Sequence, residues 1–327
     1  MSDASRNDST VAVVIVNWNS GAMLCRAIDA LDRQSLSCRI LVVDNASTDN
    51  SIELMSQQFP KVEVIQANAN LGFAGGNNLA VRQLSDCDWI AFLNPDAFPE
   101  KDWLSQLVAA ARLKADYSSF ASRVVFDANP DILDGAGDEF HTSGFAWRRG
   151  HNLESNLQTA DREVFMASAT AALYSREAFD RAGGFDERFF CYYEDVDLGV
   201  RLRLLGYRSW YVAGAIVRHV GSGITGKGSA FVARHTQRNR IWNYVKNMPA
   251  PWFWMLIPLH VLYQALALAH YARQGQLQPA LCGTIEALQG LPSILDSRRS
   301  VQNSRCVSWR EFFRTMRWGP MAPLFRK

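Results

Sequence analysis

Val11-Ala-Val-Val-Ile-Val16 is a continuous apolar, β-branched run and reads as a strand covered on both faces, as in the middle of a parallel sheet. A helical segment from about Met23 to Leu31 follows, and Arg39-Ile-Leu-Val-Val-Asp44 is a second buried strand that ends on an acid. Lys61-Val-Glu-Val-Ile65 and Trp89-Ile-Ala-Phe-Leu93 give two more strands, with a glycine- and asparagine-rich loop and a helix between them. This alternation predicts repeated βαβ units, hence a doubly wound, mostly parallel α/β sheet with helices on both faces. Ligands of such sheets bind beyond the carboxyl ends of the strands. Those ends carry Asn17-Trp18-Asn19, Asp44-Asn45 and Asn94-Pro95-Asp96, so three polar clusters are expected on one edge.

Farther on the pattern changes twice. From Asp116 to about Val164 the chain is irregular and rich in Gly, Asp and aromatic residues, which reads as an insertion over the site. In Cys191-Tyr-Tyr-Glu-Asp-Val-Asp-Leu198, Glu194, Asp195 and Asp197 stand behind an aromatic run. Leu198, Leu202 and Leu205 continue at helical spacing to a stop at Gly206. The acids therefore fall in a first helical turn, where the macrodipole favours negative charge; they either cap the helix or do chemistry. Beyond Arg240, Asn247 to Ala272 contains no Asp, Glu, Lys or Arg but includes Pro249, Pro251 and Pro258. It is barely long and apolar enough to span a bilayer, and interfacial or core packing are the alternatives. Trp309, Phe312, Phe313 and Met316 share a helical face with Arg310, Arg314 and Arg317 elsewhere around it, which suits either a membrane surface or docking on the domain.

Composition narrows these readings. With 327 residues, 48% hydrophobic and 20% charged, the chain is long enough for a large buried core and is not disordered. A net charge of +2 gives no reason to expect a nucleic-acid partner, but Arg298 to Lys327 carries eight Arg or Lys against the single acid Glu311, a tail suited to an anionic surface. The six cysteines (25, 38, 87, 191, 282 and 306) form no CxxC pair, which argues against a zinc cluster and against a secreted disulfide scaffold. Met1 to Thr10 is polar and lacks the features of a secretory signal, so a disordered start (residues 1–10) and a cytoplasmic location are expected.

Taken together, Val13-Val-Ile-Val-Asn-Trp-Asn19, Leu41-Val-Val-Asp-Asn-Ala-Ser-Thr-Asp49, Asn70-Leu-Gly-Phe-Ala-Gly-Gly-Asn-Asn78, Phe92-Leu-Asn-Pro-Asp96 and the Gly183 to Leu198 block resemble family 2 inverting glycosyltransferases of the GT-A fold, in their rhamnosyltransferase-like branch. The blocks run in the expected order through Val11 to Trp242, which implies a catalytic domain at 11–242 and a helical, membrane-associating extension at 243–327. The resemblance further implies a dTDP- or UDP-sugar donor, Mg²⁺ or Mn²⁺, and a lipid-linked or polysaccharide acceptor at the inner face of a membrane. L-rhamnose is the expected sugar, with galactofuranose, glucose or N-acetylglucosamine as alternatives. A non-catalytic nucleotide-sugar-binding scaffold is the alternative of another class.

Residue by residue, Asp44 corresponds to the acid that accepts the nucleobase N–H and Trp18 to an aromatic against that base, unless Trp18 only fills the core. Asn17, Asn19, Asn45 and Asn94 belong to the same nucleotide-sugar edge, and Asn70, Gly72, Gly75 and Asn78 to a loop whose glycines allow close backbone approach. Asp96 matches the last acid of the family's DxD motif, here Asn94-Pro95-Asp96, with one carboxylate in place of two. His219 in Val217-Arg-His-Val220 matches a second metal ligand. Asp195 matches the catalytic base, wrapped by Phe189, Phe190, Tyr192 and Tyr193. Glu194 orients the acceptor, and Asp197 stabilises the helix. Gly221-Ser-Gly-Ile-Thr-Gly-Lys-Gly228 is a phosphate-binding loop in appearance until Gly228 stands where Ser or Thr is needed. It reads as a lid over the diphosphate, with Lys227 reaching the phosphates. Gln237-Arg-Asn-Arg-Ile-Trp242 departs by one residue from the QxxRW signature of processive synthases, so transfer of a single sugar is expected.

Overall fold

The computed structural model describes residues 10–221 and 228–319. In chain order its elements are β1 (Val11–Asn17), α1 (Ala22–Asp32), β2 (Arg39–Asp44), α2 (Ser51–Gln58), β3 (Glu63–Gln66), α3 (Gly72–Arg82), β4 (Trp89–Leu93), β5 (Ala97–Pro99) and α4 (Trp103–Leu113). The middle adds β6 (Ser119–Phe126), β7 (Asn129–Ala136), β8 (Asp138–Phe140), β9 (Ala146–Arg148), β10 (Arg162–Val164), β11 (Ala171–Ser175), α5 (Arg176–Arg181), α6 (Glu194–Leu204) and β12 (Ser209–His219). Five helices close the chain: α7 (Ala230–Asn247), α8 (Trp252–Arg273), α9 (Leu277–Gln289), α10 (Leu291–Asn303) and α11 (Trp309–Thr315).

The main sheet runs β10-β12-β6-β11-β4-β1-β2-β3, with β5 and β7 attached at β12 and β6. Pairs β1/β2, β1/β4, β2/β3 and β6/β12 are parallel, while β11 is antiparallel to both β4 and β6. Every residue of β1 is buried. Because strand side chains alternate, Val13 and Ile15 enter one core with α1 and α4, and Ala12, Val14 and Val16 enter another with α3 and α6. The parallel strands end on one edge, as expected from sequence.

Three expectations are corrected here. The segment from Asp116 to Val164 is not an insertion: β6 lies inside the sheet, between β12 and β11. The glycine-rich stretch is largely helix α3, and its glycines serve packing. A Cβ on Gly76 would lie 2.7 Å from Val16 Cγ1, so the helix sits against β1 only because the side chain is absent. The boundary expected at residue 242 falls inside α7, and Tyr244 on that helix and Met248 just after it share a core with Phe165, Val196, Val200, Phe312 and Phe313. The apolar face of α11 is thereby buried, so docking prevails over an interfacial helix.

Asp197 does more than cap its helix. Its carboxylate accepts from Arg201 Nε at 2.8 Å, Lys246 Nζ at 2.9 Å and Asn247 Nδ2 at 2.8 Å, and Lys246 also donates to Asp186 at 2.7 Å. Burial works against the Asp197 charge, but Arg201 and Lys246 outweigh it and hold the carboxyl below its ordinary range. Removing one member would strand the others in the interior, a loss of about 3–5 kcal/mol. The network locks the helix that carries Asp195 to α7.

Candidate functional site

The edge where β1, β2, β4 and β12 end opens into a cleft of about 660 Å³, within the usual size of a small-molecule site. One end is lined by Trp18, Asn45, Asn70, Gly72 and Phe73; the middle by Asn94, Pro95, Asp96 and His219; the far side by Trp147, Arg148, Ser168, Tyr193, Glu194 and Asp195. Trp18 is 38% exposed, so it faces the cleft and does not fill the core. Asn45 donates to Asn70 Oδ1 at 2.9 Å and to Gly72 O at 3.0 Å, tying the end of β2 to the start of α3.

Several expected site residues act from behind this surface. Asn17 is fully buried and donates to Ser47 and Ser51, while Asn19 Oδ1 accepts from the Thr48 and Asp49 amides. Both brace the loop after β2, where Asp44 accepts from the Ser47 amide at 3.2 Å. None of these three lines the cleft. Gly75 packs against Leu71, and Asn78 donates to Phe185 O and Glu187, so both shape the protein behind α3 instead of meeting a ligand. Lys227 and most of the glycine-rich lid lie outside the described residues.

Asp96 and His219 come together where β4 and β12 end: His219 Nε2 is 3.2 Å from Asp96 Oδ1. The other ring nitrogen is 2.7 Å from Oδ2 of Asp134 on β7, a buried acid that also pairs with Arg148. Burial disfavours a charged imidazole, but the hydrogen bonds to Asp134 and Asp96 more than offset it and raise His219 to about 9. Asp134 was not singled out from sequence, and Asp-Gly-Ala-Gly-Asp in an irregular region gives no sign of a partner 85 positions away. The arrangement matches the carboxylate–histidine pairs that orient metal ligands. Among the described residues no group of three or more His, Cys, Asp or Glu side chains converges as a metal cage.

Across the cleft, Asp195 begins α6 half-buried. Its Oδ2 accepts from Ser168 Oγ at 3.1 Å and from the Ala169 amide at 3.3 Å, and its Oδ1 from the Val196 amide at 2.8 Å. The backbone before it is contorted: Phe190, Tyr192 and Tyr193 all adopt positive φ, at 63°, 66° and 68°. Such conformations at residues with bulky side chains cost about 1–3 kcal/mol each and persist where the surroundings impose them. Phe189 points the other way, into a core with Trp242 and Ile294. Glu194 is buried with Oε2 unpartnered, and burial followed by the neighbouring Asp195 charge holds its carboxyl well above the ordinary range. Asp138, also facing the cleft, is pushed up to about 8, by burial first and by Asp195 second. Two acids whose carboxyls are shifted upward thus stand near a half-exposed carboxylate.

The sequence matches the family described as "Glycosyl transferase family 2" over residues 12–183. It is 30% identical over 241 residues to the N-acetylglucosaminyl-diphospho-decaprenol L-rhamnosyltransferase of Mycobacterium tuberculosis, covering 67% of this chain and 78% of that protein. The O-antigen chain rhamnosyltransferase RfbN of Salmonella typhimurium is 25% identical over 213 residues, covering 64% of this chain and 66% of RfbN. Among solved structures, a Pyrobaculum calidifontis mannosyltransferase in complex with GDP-Man and Mn²⁺ superposes with a TM-score of 0.54 at 16% identity, covering 98% of this chain and 89% of that one. GalNAc-T7 with UDP, GalNAc and Mn²⁺ gives a TM-score of 0.58 at 16% identity, over 74% of this chain and 51% of the other.

Proposed function

The chain belongs to glycosyl transferase family 2, and from that premise we propose that its cleft moves one L-rhamnose from a dTDP-activated donor to a hydroxyl of a lipid-linked or polysaccharide acceptor. The observation that carries the reading is the two-sided cleft: a paired aspartate and histidine in the middle, and a half-exposed carboxylate held by Ser168 and Ala169 beyond it. Trp18 offers an aromatic face for the base, with Asp44 and Asn45 behind and beside it. Asp96 and His219 would hold a divalent cation, Mg²⁺ or Mn²⁺, through one oxygen and one nitrogen, with His219 Nε2 giving up the proton it shares with Asp96 and Asp134 fixing the imidazole from behind. When bound there, the cation supplies positive charge against the departing nucleoside diphosphate.

Asp195 takes the proton of the acceptor hydroxyl as that oxygen bonds to the anomeric carbon. The bond from this carbon to the diphosphate oxygen breaks with its electron pair leaving on the nucleotide, and a single displacement inverts the centre. Glu194, its carboxyl raised by burial and lining the cleft beside Asp195, orients the acceptor. The test is transfer to a lipid-diphosphate sugar acceptor with a panel of dTDP and UDP sugars and Mn²⁺. The expected outcome is single-sugar addition from dTDP-rhamnose; a clear preference for a UDP sugar would overturn the donor.

An exposed apolar surface on α8 and α9 supports a lipid-linked acceptor. Helix α8 is inside out: its buried residues are His260, Tyr263 and Gln264, with His260 bonded to Ser143 O and Gln264 accepting from Gln237 and Arg240, while Trp254, Met255, Val261, Leu262 and Leu266 face outward. Leu281, Ile285 and Leu288 extend exposed apolar surface onto α9. Arg273, Arg310 and Arg314 are exposed on these C-terminal helices, a charge suited to anionic lipid. Peripheral docking follows from a polar inner face that holds α8 on the protein. Each large aliphatic side chain lost from lipid costs about 1.5–3 kcal/mol, so Leu262→Glu with Ile285→Glu should weaken binding to anionic vesicles about a hundredfold. Unchanged co-sedimentation of this double variant would discard the membrane face.

A further inference from the structure

We propose that Asn239, on α7, is a positioning residue for Asp195: its side-chain amide pins the left-handed backbone that aims the base. Asn239 is fully buried, and its Nδ2 lies 2.8 Å from Phe189 O, 3.0 Å from Cys191 O and 2.6 Å from Tyr192 O. Two amide protons are shared among three carbonyls of one short loop, the loop in which Phe190, Tyr192 and Tyr193 hold positive φ. Its neighbour Arg238 adds bonds to Phe189 O at 3.0 Å and Arg188 O at 3.2 Å, and donates to Asn239 Oδ1 at 2.9 Å, which fixes the amide the right way round. On the opposite side α3 closes the clamp. The Ala74 amide donates to Phe190 O at 3.1 Å, and a Cβ on Gly72 would lie 2.4 Å from that oxygen.

Without these donors the three residues would relax toward populated φ values, and the rotation would be passed directly to the first turn of α6 and to Asp195. The amide is chemically specific. Aspartate has the same shape but no protons to give, and it would set a negative charge against three carbonyl oxygens. On the same helix Gln237, Arg240 and Trp242 turn away to Gln264 and Ala287 O, and Asn239 is left to face the loop.

The inference rests on Asp195 being the base, so the test is a double-mutant cycle on the full chain, with Asn239→Ala, Asn239→Asp and Asp195→Asn. Asn239→Ala should lower kcat about a hundredfold, the scale of a misplaced reacting group. Nucleoside diphosphate affinity should stay within about twofold, because the Asn239 side chain donates only to the loop before α6 and the Ala74 bond to Phe190 O on the Trp18 side remains. In the Asp195→Asn background it should cause no further loss. Three results overturn the clamp: kcat within about threefold of wild type, full additivity with Asp195→Asn, or loss of the folded state in both Asn239 variants. An active Asp195→Asn enzyme would instead remove the base assignment, a distinguishable failure.

Discussion

Replacing Asp195 with asparagine should lower sugar transfer by about 10²–10⁴-fold, the usual worth of a positioned base, while leaving donor binding close to wild type. Asparagine has the volume of aspartate, and its carbonyl oxygen can still accept from Ser168 Oγ and the Ala169 amide, which now hold Oδ2 at 3.1 and 3.3 Å. The Val196 amide loses the acceptor it now has in Oδ1 at 2.8 Å, but Ser168 and Ala169 still hold the start of α6, so the main loss is the ability to take a proton. The neighbouring acids are poor substitutes, because burial, the larger cause of the upward shift at Glu194 and Asp138, remains when the Asp195 charge is removed. Steady-state transfer, with nucleotide affinity measured on the same preparations, checks the prediction. A variant within about tenfold of wild-type turnover falls below the range for base catalysis and would contradict it.

Asp96→Ala should abolish metal-dependent donor binding, and chelation of the wild-type protein should reproduce it. In this cleft Asp96 is the carboxylate that touches His219, and among the described residues no larger cluster of metal-ligating groups provides a replacement. The companion substitution, Asp134→Asn, is the more diagnostic. It leaves Asp96 and His219 in place but weakens the acceptor that holds His219 Nδ1 at 2.7 Å, so Nε2 is presented less firmly. Loss of such an orienting group typically lowers metal affinity about 10–100-fold. Titration of Mn²⁺ by paramagnetic resonance with nucleoside diphosphate present reads this without turnover. Unchanged Mn²⁺ affinity in Asp96→Ala would remove the metal from these residues, and unchanged affinity in Asp134→Asn would reduce Asp134 to a structural ion pair.

What the sequence displays and what it hides separate along physical lines. β1, β2 and β4 are continuous apolar runs, and strands that are buried on both faces declare themselves that way. The place of Asp195 in the first turn of a helix is legible from the periodic leucines behind it. The glycines of α3 misled: an intrinsic preference against helix was overridden by the close approach of Gly76 to Val16. Asp134 and Asn239 are hidden for a different reason, since they act on groups 85 and 47 positions away; Asp134 sits in no local pattern, and Asn239 occupies an unspecified position of the QxxRW-like stretch. Helix α8 was ambiguous because apolar spacing does not tell which face turns inward, and here His260 and Gln264 do.

The most direct measurement is equilibrium binding of the nucleotide sugar with Mn²⁺ to wild type, Asp195→Asn and Asp96→Ala, side by side with transfer. A cleft divided between donor and base predicts that Asp195→Asn binds as wild type does yet does not transfer, while Asp96→Ala loses binding and transfer together. Loss of donor binding in Asp195→Asn, or metal-dependent binding retained in Asp96→Ala, would contradict that division.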